Sequence, residues 1–221
     1  MNLAVRVTLW PLLAAAPMVL VSFSPARFFS DPRCVAAFAF MVLGLAVENA
    51  LVHPKSIAES ALPEQASRDR RSFEMAALTN AACFYAPVYD YLHLPPVVPR
   101  TTTTLLIGLG LMITGEGLRI AALRTLGRFF TMRVAVLDGH QVVRTGLYRL
   151  VRHPAYTGWF LLSLGMGCYF GSIIGVAGTS LFVLVIGWRV KVEEAALGRS
   201  LGDAYRDYQR DVPYRFVPGL F

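Results

Sequence analysis

The chain has 221 residues, 55% of them hydrophobic and 16% charged, with a formal net charge of +7 at neutral pH. Together with a positive mean hydropathy, this excludes an ordinary soluble domain, whose charged fraction is about a quarter, and indicates an all-α polytopic membrane protein. The basic excess follows the loops, and no basic patch interleaved with aromatics occurs, so nucleic acid is not an expected partner; the lipid bilayer is.

Six apolar segments are predicted to span, at 3–21, 35–52, 73–92, 103–123, 155–170 and 173–189. The first four approach the ~20 residues a bilayer helix needs and the last two are shorter, so five or six crossings fit the pattern. Arg6 precedes the first run as in a secretory signal, but no small-x-small cleavage site follows. The segment therefore reads as a retained helix kinked at Pro11 and Pro17. The polar stretch 53–72 reads as a solvated connection. With six spans, Lys55, Arg68, Arg70 and Arg71 share one side with Arg124, Arg128, Arg133, Arg144, Arg149, Arg152 and the C-terminal tail. The opposite loops hold Arg27, Arg33 and Arg100, so the positive-inside rule puts both termini in the cytosol.

Glu48, Glu74, Glu116 and Arg119 fall inside or at the edge of these spans. A charge at mid-bilayer costs a few kcal/mol, so each must face protein or water. Glu116 and Arg119, three apart, either pair with each other or line a polar pocket open to the cytosolic face. Asp90 reads as interfacial. Cys34, Cys83 and Cys168 are isolated packing residues, and His53, His93, His140 and His153 have no metal-ligand spacing. Gly167, Gly171 and Gly175 recur every fourth residue, as close helix contact or a loose turn would require.

The chain divides near Leu123, into membrane helices over 1–123 and a mixed region over 124–221 where chemistry is expected. Val134–Leu137 and Gln141–Val143 flank Asp138-Gly139-His140 as a short hairpin or an extended loop. Then comes Arg152-His153-Pro154-Ala155-Tyr156-Thr157-Gly158, and Arg189, Glu193 and Glu194 close the apolar run that follows it. That run breaks only at Gly171-Ser172, so it makes two helices of roughly 24 Å at about 1.5 Å per residue. A hairpin of this kind returns His153 and Tyr156 to face Arg189 and Glu193. Pro154 suits a first helical turn, which leaves free amides beside His153 as a seat for a polar group. From Arg189 onward, Glu194, Leu197, Leu201, Ala204, Tyr205 and Tyr208 recur at helical spacing, predicting one amphipathic cytosolic helix that stops before Pro213.

His140-Gln141-Val142-Val143, Gly146-Leu147-Tyr148, the Arg152 to Gly158 motif and Arg189-x-x-x-Glu193-Glu194, in this order around a hairpin, resemble the isoprenylcysteine carboxyl methyltransferases over residues 124 to 221. The chain departs from the family pattern at Leu147, where a proline or smaller residue is usual. The resemblance implies methyl transfer from S-adenosylmethionine to the C-terminal carboxylate of a prenylated cysteine, with prenylated protein C-termini as partners. It also implies a multi-pass protein of the endoplasmic reticulum with a cytosolic site, or of the inner membrane in a bacterium. By resemblance, His140, Gln141, Val142, Val143, Tyr148, His153, Pro154, Ala155, Tyr156 and Glu193 bind the cofactor, and Arg189 is the catalytic residue that holds the substrate carboxylate.

These residue types suit that chemistry. A carboxylate is ionised at neutral pH and needs no general base, so catalysis rests on alignment and desolvation. Arginine holds a carboxylate by two parallel hydrogen bonds, and a tyrosine face stabilises a sulfonium. The plainer reading of Arg189 and Glu193 is an i,i+4 ion pair on an exposed helix. Three rival functions are a sterol reductase-like oxidoreductase, which shares the Val-Pro-Tyr-Arg ending, a phospholipid N-methyltransferase and an inactive membrane scaffold.

Overall fold

The computed structural model describes residues 5–51, 63–131 and 139–219. A π-helical turn, Val5–Leu9, leads into α1 (Trp10–Leu20), which carries Pro11 in its first turn and Pro17 inside it. Next come α2 (Pro25–Ser30), α3 (Pro32–Leu51), α4 (Pro63–His93) and α5 (Thr102–Leu126). The C-terminal part holds α6 (Pro154–Phe170), α7 (Ile173–Leu201) and α8 (Asp203–Asp211). Each of the six predicted apolar segments is mainly helical over its described residues, and no strand occurs among the described residues. Helix is the form that satisfies every backbone polar group within one segment in lipid. Pro32–Leu51, Thr102–Phe129 and Ile173–Leu201 are long and apolar enough to cross a membrane, and the chain is a multi-pass membrane protein.

Three expectations change. The stretch 53–72 is not all connection, because α4 already starts at Pro63. Its polar composition suggested a loop, yet no glycine or further proline interrupts the chain between Pro63 and Pro87, so nothing breaks the helix. His53 and Lys55 lie outside the described residues, as do Arg133, Val134–Leu137 and Asp138. Second, the segment after Arg189 is not one amphipathic helix. Membrane helix α7 continues to Leu201 and the chain turns at Gly202, whose φ of 56° is a left-handed conformation that suits glycine, before α8 begins. Arg189, Glu193 and Glu194 therefore ride on the membrane helix itself.

Third, Asp90, expected at the interface near the end of its span, is covered by protein and only 4% exposed. It accepts a 2.5 Å hydrogen bond from Ser172 Oγ, and Ser172 Oγ in turn accepts from the Gly175 amide at 3.0 Å to cap α7. A buried carboxylate needs such a partner, and this one anchors the hairpin turn to α4. Within the turn Gly171 adopts φ 61°, and the Ser172 amide donates to Gly167 O at 2.8 Å, the bond that closes a helix through a left-handed residue.

Glycine also sets how closely the helices approach. A Cβ on Gly115 of α5 would lie 2.6 Å from Gly158 O of α6, and one on Gly158 would lie 2.5 Å from Gly115 O. At the other end of this crossing, Gly108 stands against the Tyr169 backbone and Gly165 against Gly108 O. The α5–α6 pair is thus backbone on backbone, as small-residue membrane interfaces are. Gly167 and Gly175 make a second such contact between α6 and α7. Cys34 and Cys83 are buried in the core, as packing residues should be.

Candidate active site

A cavity of about 530 Å³ opens between α3, α4, α5, α6 and α7, with α8 beside it. Residues Gln141, Val142, Leu201 and Tyr205 line one part, Tyr148, Tyr156, Arg189 and Glu193 another, and Trp10, Phe40, Phe84 and Tyr85 an apolar remainder. The hydroxyl of Tyr156, one of these lining residues, joins two charged groups. It donates to Glu193 Oε2 at 3.0 Å and accepts from Arg189 Nε at 3.0 Å. The predicted facing of the two hairpin arms is therefore present. Arg189 and Glu193 are joined through Tyr156 on the opposite arm, where the plainer expectation was a direct i,i+4 pair on an exposed helix. Arg189 is 4% exposed, lies 5.6 Å from the Phe73 ring centroid and donates to Ser72 Oγ at 3.4 Å.

Behind Tyr156 is a second cation. Arg119 of α5 grips Glu48 of α3 with both prongs, through Nε to Oε1 and through Nη2 to Oε2 at 2.8 Å. It also donates to Ala155 O at 3.4 Å and lies 4.9 Å from the centroid of Trp159, whose ring stacks on Tyr156 at 6.3 Å. The expected Glu116–Arg119 pair is thus replaced by a cross-helix one. A carboxylate facing the guanidinium from α3 allows the two-pronged geometry. Glu48, Glu116 and Arg119 all line the cavity.

The motif around His153 divides between two tasks. Glu194, next to Glu193 but turned away from Tyr156, accepts from Arg152 Nε at 2.8 Å and from Arg215 at 2.9 and 3.1 Å, and lies 3.2 Å from His153 Nε2. Arg152 Nη1 donates to the carbonyls of Val212 and Pro213, both at 2.7 Å. The backbone amides of Arg152 and His153 donate to Tyr214 O and Arg215 O, and Thr157 Oγ1 donates to Phe216 O at 2.8 Å. The C-terminal tail is strapped across the start of α6 by these bonds. The His153 amide, beside the free amides predicted as a ligand seat, is used by the strap.

His140, Gln141, Val142, Val143, Tyr148, His153, Ala155, Tyr156, Arg189 and Glu193 line the one cavity. Pro154 is buried in the first turn of α6, where its fixed φ starts the helix. The His140 ring packs on Phe129 at 4.8 Å. Burial lowers the His140 pKa and Arg128 adds to this, against the opposing pull of Glu193, so a neutral imidazole is favoured. Tyr208 Oη donates to Tyr148 O at 2.7 Å. Burial pushes the Tyr208 hydroxyl up to about 12, and that of Tyr148 well above its ordinary 10, so both remain donors at neutral pH. Residues 139–143 carry no strand. Sequence reasoning missed Trp159 and the Glu194 clamp; Arg215, in the Val-Pro-Tyr-Arg ending, was the available signal for the clamp.

Residues 107–199 match the profile of the isoprenylcysteine carboxyl methyltransferase (ICMT) family. The protein-S-isoprenylcysteine O-methyltransferase of Schizosaccharomyces pombe is 37% identical over 112 residues, 48% of this chain and 46% of that protein. The Dictyostelium discoideum protein of the same name is 29% identical over 158 residues, 67% and 61% of the two chains. A solved structure of the eukaryotic intramembrane Ras methyltransferase ICMT aligns over 95% of this chain and 94% of that one, at 20% identity and a TM-score of 0.48. The aligned stretch spans about half the length of the curated relatives, 46, 61 and 52% for three of them. The resemblance seen in the motifs is borne out over the matched region, which contains His140 to Val143, Tyr156, Arg189 and Glu193.

Proposed function

We propose, from the family match over 107–199 and the cavity those residues line, that the chain transfers a methyl group from S-adenosylmethionine to the C-terminal carboxylate of a prenylated cysteine. One observation carries the reading. The Tyr156 hydroxyl holds a carboxylate and a guanidinium of opposite function, Glu193 and Arg189, one hydrogen bond away on either side. A cationic donor and an anionic acceptor have to meet within one cavity, and this bridge places their complementary charges side by side.

The residues present fit the donor. The cavity volume is in the range of cofactor sites, Glu193 offers an acceptor to an ammonium or ribose hydroxyl, and Tyr148 and Tyr156 offer aromatic faces to a cation. When bound, S-adenosylmethionine supplies an electrophilic methyl group on a sulfonium. His140 to Val143, Tyr148, His153, Ala155 and Tyr156 form the wall on that side, with Pro154 setting its start. A neutral His140 adds no repulsion against a sulfonium. Arg189, oriented by Tyr156, grips the acceptor carboxylate, which is ionised at neutral pH and needs no base. Aromatic and apolar walls exclude water, and the fixed arginine limits the acceptor's orientations, which is where the rate enhancement arises.

The catalytic region is 124–221, and helices of 1–123 supply the lipid-facing wall, through which a prenyl chain partitions from the bilayer. The basic loops support a site on the cytosolic face, of the endoplasmic reticulum or of a bacterial inner membrane. The test incubates membranes containing the chain with labelled S-adenosylmethionine and a farnesylated cysteine analogue, with a base-labile methyl ester as the expected product. Cofactor binding without ester sinks the acceptor assignment, and binding of NADPH in place of S-adenosylmethionine favours the reductase.

A further inference from the structure

The proposed reaction leaves Arg119, Glu48 and Trp159 without a task, yet all three line the cavity together with Tyr156. Tyr156 and Trp159 are three apart on α6, which puts them on one side of that helix, and their rings stack at 6.3 Å with 17° between the planes. Trp159 meets Phe182 edge-on at 5.4 Å, and the Arg119 guanidinium lies 4.9 Å from its ring centroid. Arg119 Nη1 also donates at 3.4 Å to Ala155 O, the carbonyl of the peptide bond that precedes Tyr156. One side chain of α5 therefore touches both the backbone that carries Tyr156 and the ring that packs against it. Tyr156 is the residue whose hydroxyl orients Arg189.

The chain makes room for this contact. A Cβ on Gly158 would lie 2.7 Å from Arg119 Cγ, so glycine lets the Arg119 stem pass against α6. Glu48 of α3 takes Nε and Nη2, which fixes the guanidinium plane and leaves Nη1 for Ala155 O. Arg119 is 9% exposed. A buried ion pair is weak support for stability, because apolar residues of similar volume in its place are often neutral or stabilising, and a charge on a membrane helix is costly. Packing alone would be served as well by apolar side chains. An apolar side chain cannot hold a carbonyl and an indole at fixed angles. With its charge balanced by Glu48, Arg119 is not a second anchor for the acceptor carboxylate either.

We propose that Arg119, fixed by Glu48, is a positioning residue for methyl transfer: through Ala155 O and Trp159 it sets where Tyr156 stands, and through Tyr156 it sets the aim of Arg189. This rests on the methyl-transfer reading for what Arg189 grips, whereas the hold on Trp159 is tested without turnover.

The experiment uses the full chain in detergent with S-adenosylmethionine and a farnesylated cysteine analogue, and equilibrium binding of S-adenosylmethionine counts the competent sites. Arg119→Met combined with Glu48→Leu removes the pair and keeps most of its volume. Tm is expected to stay level or rise, donor affinity to change little, and kcat per competent site to fall about 10- to 100-fold, the scale of a misplaced reacting group. Arg119→Lys keeps the charge without the planar fork and should lose most of the same rate. A purely structural pair gives the opposite split, with Tm and the number of competent sites falling together while kcat per site holds; that result overturns the proposal, as does a full rate in Arg119→Lys. The chain has three tryptophans, so Trp10→Phe with Trp188→Phe leaves Trp159 as the reporter. In that background, removing the pair should lower the anisotropy of Trp159 emission and shift its maximum, and unchanged emission overturns the hold. If the unsubstituted chain forms no methyl ester, the methyltransferase reading fails, and Trp159 emission still decides whether Arg119 fixes this wall.

Discussion

Two neighbouring carboxylates on α7, Glu193 and Glu194, point about 100° apart around one helix and sit in contrasting regions. On the strap side, Glu194 is 7% exposed and meets Arg152, His153 and Arg215, which join α6, α7 and the C-terminal tail. On the cavity side, Glu193 accepts from Tyr156, whose hydroxyl also receives Arg189. A carboxylate saturated by three basic groups has no capacity left for a ligand, while one held by a single neutral hydroxyl retains lone pairs to offer. The difference separates a residue that builds the site from one positioned to use it.

The largest expected effect is on the strap. Glu194→Ala leaves a buried cluster of basic groups uncompensated, and breaking a buried pair costs about 3–5 kcal/mol; denaturant or thermal unfolding in detergent should show a loss of that order. Loss of activity with unchanged stability would instead assign Glu194 to chemistry. On the cavity side, Arg189→Ala should lower methyl transfer roughly 100- to 1000-fold, as removal of one charge-stabilising donor does, with donor affinity little changed by equilibrium binding. Glu193→Gln should do the reverse, weakening S-adenosylmethionine binding about tenfold or more while leaving Tm within a few degrees. Equal, mild effects of both substitutions would collapse the contrast into a structural hydrogen-bond chain.

Smaller effects sharpen the edges. His140 has its folded pKa lowered from 6.5, so the unfolded chain takes up its proton first as pH drops. Its stabilising contribution is fully present above pH 6.5 and declines as pH falls toward the lowered folded value. His140→Gln should flatten that part of a Tm-against-pH profile. The least effect belongs to the exposed Arg206–Asp203 pair, where Arg206→Ala should alter stability by about 0.5 kcal/mol or less.

The hairpin was legible because its two apolar arms are about equal in length and Gly171-Ser172 is the only interruption between them. An antiparallel return then brings Tyr156 to the level of Arg189 whatever the rest of the chain does. Less legible was anything that depends on which helices are neighbours. Arg119 had a carboxylate three residues away in its own helix, and its partner is Glu48, on α3. Asp90 at the end of a span looked interfacial, and Ser172 from the far hairpin turn covers it. Glu193 and Glu194 are chemically alike and adjacent, so no pattern along the chain distinguishes the clamp from the cavity residue.

By itself the sequence determined the membrane class, the helical segments and the set of residues gathered on the hairpin arms, because apolar run length and helix spacing are properties of single segments. The tertiary structure decided who pairs with whom. Only the approach of α3 to α5, the glycine-mediated closeness of α5 and α6, and the tail strapped over α6 leave Arg119 neutralised and Glu194 saturated, with Glu193 open to the cavity. Electrostatic and hydrogen-bond partnership depends on distances of a few ångströms between segments far apart in the chain, and those distances are set by packing.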